Sequence, residues 1–418
     1  MSGVSPPGAT TAAYRQPVGL DIYRTTLATP GLARLYAASV VARMPLGFGT
    51  LAVVLLVREA TGSYTTAGIA AGAEFAVAAG SASTVGRLVD RLGQARVLVP
   101  LAIFNSGALT ALALAGLLDA PGFLLVALAS LVGLIPPVSA CHRALLASLL
   151  SGDRLQSAYA LESIVQEMMY TGGPLLVAVA VALGGPADAL FAGAVLVLAG
   201  TLWFARSLLS REWRAPAVAR PRGGAIRTPV VRTLFAYGVL AGSGFGAFEV
   251  AVVAFADEDG SRNAAAILLA LWALGSMTSG LWYGARAWRR PAPARFREVS
   301  VIMTLAFLPP ALAPSVPVLA PLMVIAGLAI APMASLLYTL CGELAPEGMV
   351  TESFTWLNVA FLTGLGAGAA LAGVVVDGPG ARSALVLACI GPGLATVVAA
   401  ASRRALALDV ARPAPERL

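Results

Sequence analysis

The 418-residue chain contains no lysine, one histidine and only three cysteines. Each shortage excludes a kind of chemistry. A nucleotide-hydrolysing pump of the P-loop type needs G-x-x-x-x-G-K-[ST], and that motif cannot exist without lysine. With His142 alone and no paired cysteines there is no HExxH helix and no zinc knuckle, so neither a metal nor any other cofactor is expected. A polytopic membrane enzyme would have little to work with. Cys141, Cys341 and Cys389 fall in or beside apolar runs and read as small packing residues, not a disulfide framework. Charge is scarce as well, at 12% of residues, where a soluble domain carries about 25%. With 58% hydrophobic residues and a mean hydropathy of +0.83, a soluble globular protein is excluded.

What is present is apolar sequence in long runs. A membrane helix needs about 20 apolar residues to cross roughly 30 Å of hydrocarbon while satisfying its own backbone. Such runs fall near 32–57, 64–86, 96–118, 121–147, 157–183, 186–208, 231–256, 263–285, 297–314, 316–341, 353–376 and 381–401. The fold expected is therefore an all-α integral membrane protein of twelve transmembrane helices. Residues 1–30, with Pro6, Pro7, Gly8 and Pro17, read as a flexible tail and not a signal peptide. Six-helix bundles follow over 31–208 and 231–402, divided by a loop at 209–230, and a second tail covers 403–418.

All 28 basic residues are arginine, and against 21 acids they leave a formal charge of +7. Their positions report orientation. With the odd-to-even connections outside, only Arg58, Arg262 and Arg382 face outward, and Arg43 lies within a span. The others fall on tails, inner helix ends or even-to-odd loops, so both termini are expected in the cytoplasm of a cell with this protein in its inner membrane. The arginine-rich 209–230 loop is then a topology signal and linker, and nucleic acid is not an expected partner.

Between the second and third spans the sequence runs Gly86-Arg87-Leu88-Val89-Asp90-Arg91-Leu92-Gly93-Gln94-Ala95-Arg96. Glycines permit close helix approach and a tight turn, and Asp90 suits a helix N-terminus or an arginine. The segment resembles the loop signature of the major facilitator superfamily (MFS), G-x-L-x-D-R-x-G-[RK]-[RK], with Gln94 and Ala95 in place of two basic residues. After the eighth span a degenerate copy keeps Gly280, Gly284 and Arg286 but has no aspartate. The resemblance implies two pseudo-symmetric six-helix bundles, with Gly86, Asp90, Arg91 and Gly93 forming a conformational brace; Arg143 either joins it beside Asp90 or simply anchors the inner end of its helix. Family members that export drugs against protons carry a glycine-rich fifth helix. Here Gly172, Gly173 and Pro174 match its end, while Met169, Val177 and Ala178 occupy other glycine places.

The informative residues are charges that orientation does not require, since a charge at mid-bilayer costs at least about 2.5 kcal/mol. Arg43 and Glu74 lie at similar depth and are expected to pair across adjacent helices, as a structural ion pair or a substrate or proton site. Glu162 and Gln166 share a face of the fifth span, with Glu167 near mid-depth. A buried carboxyl without a permanent partner can take up and release a proton, so Glu167 is the first candidate for coupling and Glu249 the second. Asn105 and Asn358 either bind substrate or join helices. Pro136 and Pro137 predict a kink in the fourth span, His142 an interfacial position, and Glu352 a helix-start acid or a partner for Arg87 or Arg91.

Together these features predict a secondary transporter that moves a small organic molecule by alternating access, with export coupled to protons. An importer or an uncoupled facilitator of the same fold is the alternative. The expected partners are the substrate, protons and the lipid bilayer, with the protein acting as a monomer.

Overall fold

The computed structural model describes residues 20–216, 224–260 and 264–402, and all its regular elements are helical. Nine of the twelve expected spans are single helices. These are Tyr64–Leu92, Gln94–Leu117, Gly152–Leu183, Pro186–Arg206, Pro229–Glu258, Ala264–Gly284, Ala292–Ala311, Val350–Asp377 and Ala381–Ala401. The other three are interrupted. The first span, Leu32–Thr61, breaks into Leu32–Arg43 and Gly49–Thr61 around a 3-10 turn, Met44–Gly47. Pro45 supplies no amide there, and Gly47 and Gly49 favour helix poorly. The fourth consists of Gly122–Val132 and Val138–Leu149, and the tenth of Val316–Gly327 and Ile330–Leu344. Eight of these segments are long and apolar enough to cross a membrane.

The break in the fourth span follows from Pro136 and Pro137, which cannot donate to the helix ladder. That leaves carbonyls to be satisfied deep in the protein. Asn105 of the third span donates its amide to Val132 O at 2.6 Å and also reaches Leu134 O at 3.4 Å. Its role is thus helix joining at a broken segment. Gly133 in this break and Gly327 in the tenth span are 194 residues apart, and each presses its α-carbon on the backbone of its own bundle's second helix. The kink is therefore a repeated feature of both halves.

Two bundles of six result. In the second, the seventh and eleventh spans touch along glycines, with Gly246 against the Leu365 carbonyl and Gly368 against that of Ser243. Small residues let helix backbones approach where packing, not hydrophobic expulsion, drives association. The bundles meet at the end that carries the 92–94 connection and both described chain ends, here the arginine-rich end. The second and eleventh spans pack there, as do the fifth with the eighth and tenth. Residues 20–27 fold into a helix on the fifth span, so this part of the expected 1–30 tail is helical, while residues 1–19 lie outside those described. Around the 209–230 loop the described residues include helix Leu208–Glu212 and a 3-10 turn Ala225–Arg227, while Arg220, Arg222 and Arg262 lie outside the described residues.

Candidate functional site

Arg43 is the last residue of the first half-helix, eleven residues on from Leu32, or about 17 Å at 1.5 Å per residue. The break directly after it frees its side chain to cross the bundle. It does not pair with Glu74. Arg43 donates to both oxygens of Glu162, one of them at 3.1 Å, and to Ser39 O at 3.1 Å. The expected Arg43–Glu74 pair is therefore corrected. Fully buried Glu162, on the adjacent fifth span, also receives His142 Nδ1 at 3.1 Å and Arg143 Nε at 3.3 Å. Glu74 instead accepts from the Thr50 hydroxyl at 3.1 Å, at the start of the second half-helix.

His142 is thus no interfacial residue. It is wholly buried, bonded to Glu162, with its ring edge-on to Tyr36 at 4.4 Å. The lone histidine completes a centre of three basic side chains on one carboxylate. Taking charges out of water is repaid only when such geometry supplies several charge-assisted hydrogen bonds.

Arg143 carries this centre across to the other bundle. Its guanidinium donates to Asn358 Oδ1 at 2.7 Å and Tyr338 hydroxyl at 3.0 Å, and also to Gln166 Oε1 within its own bundle. The same group lies 3.9 Å above the Tyr338 ring, and Tyr338 donates to Gln166 at 3.1 Å. The expectation that Arg143 stands beside Asp90 is corrected, because the fourth-span break directs it inward, a helix layer deeper. Asn358 becomes an inter-bundle contact through the same geometry.

Asp90 works at the arginine-rich end. Its two oxygens accept the backbone amides of Thr351 and Glu352, at 3.2 and 3.0 Å. The first amides of a helix have no partner within it, so Asp90 completes the start of the eleventh span from the opposite bundle. Burial, opposed by those two bonds, pushes its carboxyl up to about 6. Glu352 in turn accepts from Arg87 Nε at 3.0 Å. Gly86 lies against the Glu352 α-carbon, and Gly93 turns at φ 89° beside Arg214. Arg91 is exposed on the outer face of this brace.

Glu167 and Glu249 come from opposite bundles, on the fifth and seventh spans. Neither carboxyl has an arginine among its described partners. Glu249 is exposed although it lies mid-span, and Phe245 stands one turn away on the same helix face, against Trp272 and Phe361. The side chains of Tyr170 and Pro174 lie outside those described.

Sequence reasoning missed Tyr338, Gln156 and Arg295. Arg295 reads as one more inner-loop arginine, yet it is buried and donates to Gln156 Oε1 at 2.6 Å across the bundles. Tyr338 and Gln156 are uncharged, and nothing in helical spacing separates a polar side chain that crosses an interface from one that stays within its bundle.

Two helical bundles joined at one end around a buried ionic centre define the two-repeat class of membrane transporter folds. The chain belongs to the Major Facilitator Superfamily, whose family model matches residues 35–361. Solved structures agree on the fold. A bacterial homologue of the iron transporter ferroportin, in an outward-facing state with soaked iron, is similar with TM-score 0.71 at 16% identity, covering 89% of this chain and 99% of that one. The human organic anion transporter MFSD10 (TETRAN) gives 0.68 at 17%, covering 90% and 99%. The E. coli fucose:proton symporter FucP gives 0.65 at 14%, covering 90% and 99%. No curated protein matches the sequence.

Proposed function

We propose that the protein is a secondary transporter that exports a small, partly hydrophobic organic molecule across the inner membrane in exchange for protons. The observation that carries this reading is Glu167 and Glu249, two carboxyls within spans of opposite bundles, neither with an arginine among its described partners. The ionic centre around Glu162, where Arg43, His142 and Arg143 converge on one carboxylate, serves as scaffold in this reading. A carboxyl at the interface of the bundles meets one side of the membrane and then the other as the halves rock, which is what coupling by alternating access requires. Phe245 and its aromatic neighbours give the space beside Glu249 an apolar wall for the organic part of the cargo.

The arginine-rich end is cytoplasmic in this reading, since short loops rich in arginine stay inside. Hydrogen bonds between described residues of the two bundles cluster toward that end, as in Tyr23 to Leu281, Gln156 to Tyr283 and Asp90 to Glu352. The arrangement is then closed to the cytoplasm and open outward, and one protomer suffices for the cycle. Transport into inverted vesicles under an imposed pH gradient tests the coupling. Wild type is expected to follow the gradient, and Glu167→Gln to lose at least about tenfold of the gradient-driven rate. A wild type indifferent to the gradient together with a Glu167→Gln variant of equal rate overturns the proposal.

A further inference from the structure

The 194-residue repeat relates Asp90 to Gly284 and Thr351 to Ser157. The first pair of positions braces the second span against the eleventh, and the repeat predicts a matching brace between the eighth and fifth. It is there, with its polarity reversed. Asp90 accepts amides from a helix start, whereas at Gly284 a backbone carbonyl accepts from the Ser157 side chain. The lost aspartate is replaced by carbonyls at and just beyond the C-terminal end of the eighth span, of which Leu281 O also accepts the Ala285 amide at 3.1 Å.

Several donors from the first bundle satisfy those carbonyls. Gln156 Nε2 donates to Tyr283 O at 3.3 Å and Arg286 O at 3.2 Å. The third donor comes from outside the six-helix repeat. Tyr23, in the helix Leu20–Leu27, donates its hydroxyl to Leu281 O at 2.9 Å and Gly280 O at 3.2 Å. Gly284 leaves room for it, since a β-carbon there would collide with the Tyr23 hydroxyl and with Ala160. Ile22, Tyr23 and Thr26 are buried, and the helix rests on the fifth span, continuous through a turn at Gly31 with the first. One bundle thus carries this helix, and its tyrosine grips the other.

We infer that the Leu20–Leu27 helix is a latch, whose Tyr23 hydroxyl holds the eighth-span carbonyls and must let go whenever the arginine-rich end opens. It makes good part of the brace that the second copy of the loop signature has lost. The inference concerns the closed end of the bundle pair and holds whatever the cargo or coupling ion.

The three native cysteines are buried, so exposed positions can be labelled selectively. Ser151→Cys and Arg289→Cys place spin labels on exposed sites of opposite bundles at this end. Pulsed electron spin measurement of their separation reads the closed and open populations in full-length protein. Tyr23→Phe keeps the ring and removes the hydroxyl, and is expected to raise the open-to-closed ratio roughly fivefold, the effect of one net hydrogen bond. Thr25→Ala, on the same helix but bonded only to Ile22 O, is expected to leave the ratio unchanged. An unchanged ratio in Tyr23→Phe, with a melting temperature equal to or below wild type, overturns the latch. Equal shifts in both variants do so too, since they report a loosened helix and not a released hydroxyl.

Discussion

Replacing Glu162 by glutamine is expected to cost about 3–5 kcal/mol of stability, the largest loss from any single conservative change in this protein. The side chain is fully buried and is the one carboxylate on which Arg43, His142 and Arg143 converge. Glutamine keeps the shape but removes the charge, leaving two buried guanidinium groups without a counter-ion. Uncompensated charge is far more expensive than a missing contact. The measurement is thermal unfolding in detergent, where the melting temperature should fall by roughly 5 °C. Adding Arg43→Gln to Glu162→Gln should cost little more, or partly restore stability, because the second change removes a charge the first has stranded. Additive losses would show that the two do not act as one unit.

Asp90 carries the second large effect, on the balance between states. Asp90→Ala strands two amides at the start of the eleventh span and should favour opening of the arginine-rich end by about 2 kcal/mol, near thirtyfold in the ratio of states. Its pH dependence has a definite sign. In the closed arrangement burial holds the carboxyl up to about 6, whereas an exposed aspartate released by opening titrates at about 4. Closing therefore takes up a proton between those values, and acidification through pH 6 should favour the closed form. Arg87, Glu352 and the amides are present in both variants and wild type, so Asp90→Asn isolates the effect. It should remain largely closed and lose the pH response in this window. Label separations measured from pH 7 to pH 4.5 decide the matter, and wild type that opens on acidification would contradict it.

Most of the architecture was legible because a bilayer allows so few solutions. Each of the twelve apolar runs corresponds to a helix or a broken pair, and the Gly86–Arg96 segment was readable as a brace because capping chemistry is local: a carboxylate suits a helix start wherever it finds one. The charges that orientation could not explain were also the right ones to question. Their pairing was not legible. Depth along a helix says that Arg43 and Glu74 lie at one level, but the turn at Met44–Gly47 redirects Arg43 toward Glu162, and rotation about a broken helix leaves no trace in residue spacing. His142 and Arg143 illustrate the same limit, since both follow the break at Pro136 and Pro137 that turns them inward. Tyr23 was hidden differently, within a segment whose neighbouring prolines and glycine outweigh eight residues of helix.

The central claim is that Glu167 and Glu249 exchange protons for cargo. It is tested most directly by proton release from purified protein in weakly buffered detergent, followed with a pH indicator as a transported compound is added. Wild type should release protons in proportion to bound compound, and the Glu167→Gln, Glu249→Gln double variant should release none. Release that persists undiminished in the double variant, or binding to wild type without any release, would contradict the account.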